Sequence, residues 1–132
     1  MIKIPETLQD LLTDEKKAFV YLATTMPDDT PQVTPIWFNT DGEYILINSA
    51  AGRIKDKNMR ARPNVALCIA DPADPYRYVQ IQGKVVEFTT EGADAHIDAL
   101  AFKYLGKEKY PGRKPDQQRV TYKIQPLKID AH

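Results

Sequence analysis

The sequence predicts a small, mainly β domain with α-helices: a closed barrel of six antiparallel strands, into which two or three helices are inserted. At 132 residues the chain suits one domain with a hydrophobic core and is too short for two ordinary ones, so residues 1–132 are expected to form a single domain. Six segments have strand character, and short turns join most of them, which favours an antiparallel barrel over a parallel sheet. One segment, residues 78–88, is long enough to bend at Gly83 as barrel strands do.

Apolar periodicity and turn residues set the expected elements. Strands are expected at residues 18–25, 32–40, 43–48, 64–71, 78–88 and 119–129, the last interrupted at Pro126. Asp41-Gly42 is the strongest hairpin signal and is expected to form the turn that pairs the second strand with the third. Helices are expected at 5–17, from about 53 to 62, and from Thr90 as N-cap to Gly106 as the stop.

Two features interrupt this regular pattern. Pro35 lies inside the second strand and removes a ladder donor, which indicates an edge, a bulge or a position where the backbone faces something other than a strand. Residues 107–118 form a polar connection without obvious structure. In so small a domain, that length indicates a lid, a binding loop or a contact with a partner.

A strand of apolar residues, 44–47, runs directly into a short basic segment. Five cations lie within residues 53–62, with Asp56 as the one acid among them. The small residues 49–52 lie at the strand-to-helix turn, where backbone N–H groups are expected to stay open, and a helix N-terminus carries roughly half a positive charge that suits phosphate. Ser49 adds a hydroxyl donor. The segment therefore predicts an anion site on the scale of one phosphate group.

The same charges have a second explanation. Arg53, Lys57 and Arg60 are spaced four and three apart, so they could simply form the solvated face of a surface helix. The charge pattern alone leaves both interpretations open.

The composition argues against several classes of protein. Eighteen basic and eighteen acidic residues cancel, so the protein as a whole has no electrostatic basis for binding nucleic acid or a membrane surface. No segment approaches transmembrane length and the N-terminus, residues 1–5, lacks the apolar h-region of a signal peptide, so a cytoplasmic protein is expected. The single cysteine, Cys68, lies in an apolar run and is expected to be a small buried hydrophobe.

The common catalytic motifs are missing from the sequence. Ser49 is the only serine, and His96 is expected to be a solvated residue on the polar side of its helix, which argues against a serine triad. No cysteine, histidine or carboxylate cluster has metal-ligand spacing, and neither a G-x-G-x-x-G nor a Walker loop occurs. A basic, phosphate-sized site in such a barrel suits a protein that holds a redox cofactor and lets the cofactor react.

Three motifs carry a resemblance to a known family. They are Pro35-Ile36-Trp37-Phe38, then Gly52-Arg53-x-Lys55-x-Lys57-Asn58-x-Arg60-x-x-Pro63-x-Val65-Ala66-Leu67, then Gly83-Lys84-Val85-Val86. With these motifs in this order, the sequence resembles the pyridoxamine-phosphate-oxidase-like split-barrel flavoproteins over nearly the whole chain. Among these proteins it is most similar to the branch described as deazaflavin (coenzyme F-420)-dependent reductases. The resemblance implies an FMN-binding split-barrel fold and coenzyme F-420 or FMN as cofactor. It also implies a homodimer that holds the cofactor in the groove between its subunits.

The resemblance further implies which residues bind the cofactor. The basic residues would meet its phosphate, and the proline-containing strand would lie along its ring, largely through the backbone. The candidates are Val33, Thr34, Pro35, Ile36, Trp37, Asn48, Ser49, Arg53, Lys55, Lys57, Asn58 and Arg60. Lys57 stands where relatives often carry arginine, so its contact would be that of a point charge. Asn58 and Arg60 match the motif, but either could instead hold the helix in place.

The expected function is an oxidoreductase that uses F-420 or FMN to transfer hydride to or from a small conjugated organic substrate. No catalytic side chain is assigned. The resemblance does not extend to vitamin B6 oxidation as the activity. The pyridoxamine phosphate oxidases proper carry residues that bind the substrate phosphate, and these residues are not found in this sequence. The alternative is a non-catalytic carrier of a flavin or haem-like ligand, or a redox sensor, on the same fold.

Overall fold

One curled, seven-stranded antiparallel sheet dominates the computed structural model, which describes residues 2–131. The strands are β1 (Val20–Thr25), β2 (Pro31–Ile36), β3 (Phe38–Thr40), β4 (Ile45–Ala50), β5 (Asn64–Asp71), β6 (Asp74–Thr89) and β7 (Arg119–Ala131). The helices are a 3-10 helix (Glu6–Leu12), α1 (Ile54–Ala61) and α2 (Ala93–Leu105). Within residues 2–131, none of these helices is long and apolar enough to cross a bilayer.

The two edge strands of the sheet are neighbours in the chain. The strand order is β2-β1-β5-β6-β7-β4-β3, and only Trp37 separates β2 from β3. The sheet therefore curls until its edges approach each other, which produces the predicted split barrel with an open seam at Trp37. The break at Trp37 divides the expected strand 32–40 into two, so the structure has seven strands where the sequence predicts six. Pro35 pairs with Tyr21 on the edge strand β2, where a missing ladder donor is tolerated.

The hydrophobic core fills the concave side of the sheet. Buried and exposed side chains alternate along β5 and β6, as expected for strands with one face on the core. Cys68 consequently falls on the other face of β5 and is half-buried, which corrects the expectation that it is a buried hydrophobe. The register of the β6–β7 ladder shifts beside Gly83, and a Cβ there would lie 2.7 Å from Ile124 Cγ2. The register shift lies at the position where the sequence predicts a bend.

Both ends of the first expected helix are corrected. Residues 6–12 form a 3-10 helix in which Leu8 and Leu11, three apart, are both buried, the spacing at which 3-10 side chains eclipse. The chain does not continue as a helix to Lys17, which has a positive φ of 53°. The N-cap expected at Thr90, for the helix that ends at Gly106, is also wrong.

The second helix begins three residues after Thr90. Gly92, in the left-handed region at φ 75°, precedes α2, and the Ala93 N–H donates to the Thr90 carbonyl at 3.2 Å. Gly106, at φ 71°, ends the helix as predicted. The last strand also differs from expectation, since β7 continues through Pro126 and accommodates it by a register shift against β6.

Candidate functional site

A cavity of about 330 Å³ opens at the seam of the barrel, beside the N-terminus of α1. This volume is at the lower end of the range for small-molecule sites. It is lined by Phe19, Pro35, Ile36, Trp37, Asn48, Arg53, Lys55, Ile97, Leu100, Tyr110 and Arg119. One wall is cationic and the other is aromatic and aliphatic, so the cavity suits a ligand with an anionic group and a flat apolar part.

The cationic wall consists of Arg53, Lys55 and Arg119. Among the described residues that line the cavity, none is acidic, so no carboxylate there neutralises these charges. Burial lowers the pKa of the Lys55 ammonium, and the neighbouring charges of Arg53 and Arg119 lower it further. Burial likewise lowers the pKa of Arg119. The wall therefore has a net positive charge that an anion would relieve.

Arg119 is the most confined of the three cations, since only 6% of it is exposed. Its Nε donates to Asn48 Oδ1 at 2.9 Å, and its guanidinium lies 5.3 Å from the centroid of the Tyr110 ring. Its Nη1 is buried and has no hydrogen-bond partner among the described residues. A buried charged donor without a partner is costly, so this nitrogen marks where a ligand oxygen would bind.

The backbone amides of the turn before α1 donate to groups of the protein itself. The Ala51 N–H donates to the Gln118 carbonyl at 2.8 Å, and the Gly52 N–H donates to Asp56 Oδ2 at 2.9 Å. The Arg53 N–H donates to the Ala50 carbonyl at 3.3 Å. The expectation of open amides across residues 49–52 is therefore wrong at Ala51 and Gly52, and the orphan amides of this helix begin at Ile54.

Asp56 anchors α1 to the barrel. Its buried carboxylate accepts from the Gly52 N–H, from Arg60 Nε at 2.9 Å and from the Tyr122 hydroxyl. Burial raises the pKa of this carboxyl, but the bonds from Tyr122, Gly52 and Arg60 outweigh burial and hold the pKa below its usual value. The single acid of the basic segment is therefore a structural group and stays ionised.

Phe19 and Trp37 of the aromatic wall belong to a stack of three rings. Trp37 stacks on Tyr104 with centroids 5.2 Å apart, and Tyr104 stacks on Phe19 at 5.4 Å. The Tyr104 hydroxyl donates to the Ala18 carbonyl at 2.5 Å, and Lys103 Nζ donates to the Phe38 carbonyl at 2.7 Å. Burial raises the pKa of Tyr104 to about 12. Helix α2 thus supplies the hydrogen bonds that the interrupted ladder lacks around Trp37.

Tyr110 extends this wall from the connection at residues 107–118. Its ring meets Trp37 edge-on at 6.0 Å, and its backbone N–H donates to Asp98 Oδ1 at 2.9 Å. Arg113 Nη2 donates to the same oxygen at 2.7 Å. The connection is therefore fastened to α2 and brings Tyr110 to the cavity, which fits the expectation of a binding loop.

The structure brings half of the sequence-predicted site residues together. Pro35, Ile36, Trp37, Asn48, Arg53 and Lys55 line the cavity. The other candidates, Val33, Thr34, Ser49, Lys57, Asn58 and Arg60, do not. Ser49 follows Asn48 in a strand, so the two side chains point to opposite faces, and the Ser49 hydroxyl is buried without a partner among the described residues.

The helix residues outside the cavity have other contacts. Lys57 is exposed, because it lies two residues from Lys55 and so faces away from it. Asn58 is buried, with Nδ2 3.0 Å from Thr24 Oγ1. Arg60 pairs with Asp56 and lies over the Phe88 ring at 4.6 Å. Asn58 and Arg60 thus hold the helix in place, and a cofactor role for them and for Lys57 stays a prediction.

Sequence reasoning missed five lining residues and misplaced a histidine. The missed residues are Phe19, Ile97, Leu100, Tyr110 and Arg119. Only Tyr110 had a signal, since it lies in the connection flagged for binding. His96 is not solvated but half-buried, with hydrogen-bond contacts to Asn39 and Asn48.

Fold and site together define a split-barrel domain with a cation-lined cavity at its seam. The sequence model of the family described as pyridoxamine 5'-phosphate oxidase matches residues 4–132. The chain therefore belongs to this family, as the motifs predict. No curated protein matches it significantly.

Solved structures agree with this assignment. A protein described as "F420 Reductase" is 32% identical, with 96% of this chain and 98% of that chain covered, at a TM-score of 0.82. A conserved hypothetical protein from Mycobacterium tuberculosis is 22% identical over 97% of this chain and 84% of that one, at a TM-score of 0.71. A protein of unknown function from Agrobacterium tumefaciens is 14% identical over 100% and 58%, at 0.73. The last two similarities show the fold alone.

Proposed function

We propose that this protein is an oxidoreductase that binds coenzyme F-420 or FMN in the seam cavity and transfers hydride to or from a small conjugated organic substrate. The observation that carries the proposal is the cationic wall of Arg53, Lys55 and Arg119, which faces Trp37 across one cavity. Phosphate suits the first wall and a flat ring the second. The 32% identical relative described as an F420 reductase makes F-420 the first cofactor to test.

The residues present fit a phosphate-bearing cofactor. Arg119 Nη1, which has no partner among residues 2–131, is a donor in need of an acceptor, and the three cations repel one another until an anion is bound. A phosphate group has enough oxygens to bond all three. Their number also fits the charge of one phosphate better than that of a polyanion.

Each group of residues has a distinct role in the proposal. Arg53, Lys55 and Arg119 bind the phosphate, and the backbone and ring at residues 35–37 seat the tricyclic ring. Ile97 and Leu100 exclude water from the floor of the cavity. When bound, the cofactor supplies the redox chemistry that the chain's own side chains lack.

The proposal includes a homodimer in which a second copy covers the cavity. Large apolar side chains are exposed in β1, in β2 and just before β1: Phe19 is 43% exposed, Tyr21 45% and Val33 64%. Exposed large apolar side chains on neighbouring strands are a common feature of protein–protein interfaces. Sedimentation equilibrium should give twice the 15.0 kDa chain mass, and a monomer at micromolar concentration would contradict the dimer.

The experiment compares two lysines of the same helix. Lys55→Ala should weaken F-420 or FMN binding by roughly tenfold or more, because a hydrogen bond to a charged group contributes about 1.5–3 kcal/mol. Lys57→Ala is the matched control, since Lys57 is exposed outside the cavity. Emission of Trp37, the only tryptophan, gives a direct signal and should be quenched when a ring binds beside it.

The outcomes separate the interpretations. If Lys55→Ala binds both cofactors as the parent does, the basic segment is only a solvated helix face. If Lys57→Ala weakens binding as much as Lys55→Ala, the phosphate lies along the helix and not in the cavity. Cofactor binding without turnover of the reduced cofactor by any acceptor would favour the carrier or sensor over the enzyme.

A further inference from the structure

A chain of three polar side chains runs from helix α2 to the cavity. His96 lies between two asparagines, with Nε2 2.9 Å from Asn39 Oδ1 and Nδ1 3.1 Å from Asn48 Nδ2. Asn48 Oδ1 accepts from Arg119 Nε at 2.9 Å. His96 is therefore two hydrogen bonds away from the guanidinium in the cationic wall, although it does not line the cavity itself.

The orientation of the Asn48 carboxamide follows from partners whose chemistry is unambiguous. Its Nδ2 lies 3.0 Å from the Ala93 carbonyl oxygen, which can only accept, and its Oδ1 faces Arg119 Nε, which can only donate. The NH₂ group must then also face His96. Consequently His96 Nδ1 is the acceptor, the ring proton lies on Nε2, and Nε2–H donates to Asn39 Oδ1.

Only the neutral ring is compatible with this arrangement. A proton on Nδ1 would bring an N–H against the NH₂ group of Asn48. Burial and the positive charge of Arg119 also lower the pKa of His96, to about 4. The histidine is therefore a fixed acceptor near neutral pH.

We propose that His96 is a positioning residue for the anion site. By holding the NH₂ group of Asn48, it keeps the carboxamide oxygen on Arg119 and so keeps Nη1 aimed at the bound phosphate. Without His96 the carboxamide loses one of its two anchors on that side. If it then rotates, its NH₂ group faces the guanidinium and repels it. The inference rests on the proposed function, because it concerns the phosphate of the proposed cofactor.

The test uses ligands that share a ring but differ in the phosphate. His96→Leu should weaken FMN binding by about tenfold, the cost of disturbing one hydrogen bond to a charged group. Riboflavin, which lacks the phosphate, should bind to His96→Leu as it does to the parent. His96→Gln, which restores an acceptor, should recover most of the FMN affinity. If the parent binds F-420 in preference to FMN, F-420 and its dephosphorylated deazaflavin alcohol take their places.

A double-mutant cycle locates the effect. In an Arg119→Met background, His96→Leu should not weaken FMN binding further, because the group it positions is gone. Equal losses for FMN and riboflavin, or additive losses in the cycle, would show a merely structural role and overturn the inference.

A ligand-free measurement keeps this test separate from that of the proposed function. In the ¹⁵N NMR spectrum of the parent at neutral pH, His96 should be the Nε2–H tautomer, and the Arg119 Nε–H signal should move or exchange faster in His96→Leu. An Nδ1–H tautomer in the parent overturns the inference without any variant, even if His96→Leu does not fold. A parent that binds a cofactor but has the Nδ1–H tautomer overturns the inference alone, whereas a parent with the expected signals that binds neither cofactor overturns the proposed function and with it the role of His96 toward a cofactor phosphate.

Discussion

The two walls of the seam cavity differ in how far their own groups are satisfied. On the aromatic wall, Tyr104 stacks between two rings and its hydroxyl is hydrogen-bonded, and Lys103 bonds the carbonyl of Phe38. On the cationic wall, Arg119 Nη1 has no partner among the described residues, and no lining carboxylate is present. The polar groups of the aromatic wall have their hydrogen-bond partners without a ligand, whereas the cationic wall has a donor left without one. Substitutions in the cationic wall should therefore weaken ligand binding and leave stability nearly unchanged. Substitutions in the aromatic wall should lower stability and leave binding nearly unchanged.

The largest effect is expected from Arg119→Met. Loss of this guanidinium should weaken binding of a phosphate-bearing cofactor by about 1.5–3 kcal/mol, because a charged hydrogen bond is lost. The free energy of unfolding without ligand should change by less than about 1 kcal/mol, because removing a buried and incompletely paired charge offsets the cost of leaving Asn48 Oδ1 without its donor. Titration calorimetry and urea unfolding measure the two quantities. A large loss of stability with unchanged binding would mean that Arg119 serves the fold and not the ligand, which contradicts the comparison of the two walls.

Tyr104→Phe should show the opposite behaviour. The substitution keeps the stack but leaves the Ala18 carbonyl without its donor and the Phe38 N–H, 3.3 Å from the hydroxyl, without its acceptor. Unpaired buried groups cost roughly 1–3 kcal/mol, so urea unfolding should show a loss in that range. Affinity for the phosphate-bearing cofactor should stay near that of the parent.

The matched control for that variant is Tyr76→Phe, because Tyr76 is 83% exposed and its loss of a hydroxyl should not matter. Equal stability of Tyr104→Phe and Tyr76→Phe would mean that α2 does not hold the seam. The hydrogen bonds of the Tyr104 hydroxyl would then contribute no stability, and the two walls would not differ in this respect.

The same division explains what could be predicted from sequence. The strand pattern and the basic segment are local, and they correctly indicated a barrel with a cationic turn beside α1. Arg119 reaches that turn only because β7 pairs with β4, where it lies opposite Ala50. Such pairing joins residues far apart in the chain, and no local pattern encodes it.

The errors within elements have a related cause. A match to the basic motif does not show which way each side chain points, so it leaves open whether Asn58 binds a cofactor or holds the helix, and only the structure shows it buried against Thr24. His96 follows acidic, polar neighbours and was expected in solvent. The asparagines that enclose it come from β3 and β4, about fifty residues earlier.

The smallest effect concerns the support of the cationic wall and depends on pH. The pKa of His96 is about 4 in the folded protein, below the ordinary value of 6.5, because of burial and the charge of Arg119 on β7. The side chains that face it from β3 and β4 are uncharged asparagines. The unfolded chain therefore binds more protons between these two pH values. The stability due to neutral His96 is fully present above about pH 6.5 and is lost as the pH falls towards 4.

The parent should thus lose about 1–2 kcal/mol more stability than His96→Gln between pH 6.5 and 4.5, after allowance for the partial exposure of the ring. The comparison isolates His96, because the terminal His132 and all carboxylates are common to both proteins. Below about pH 4 the His96 ring is protonated in both the folded and the unfolded chain, so the difference between the two proteins should flatten there. Parallel urea midpoints for the two proteins across the window would mean that His96 is free to protonate. Asn48 would then lack a fixed acceptor, and the cationic wall would depend on its ligand alone for its geometry.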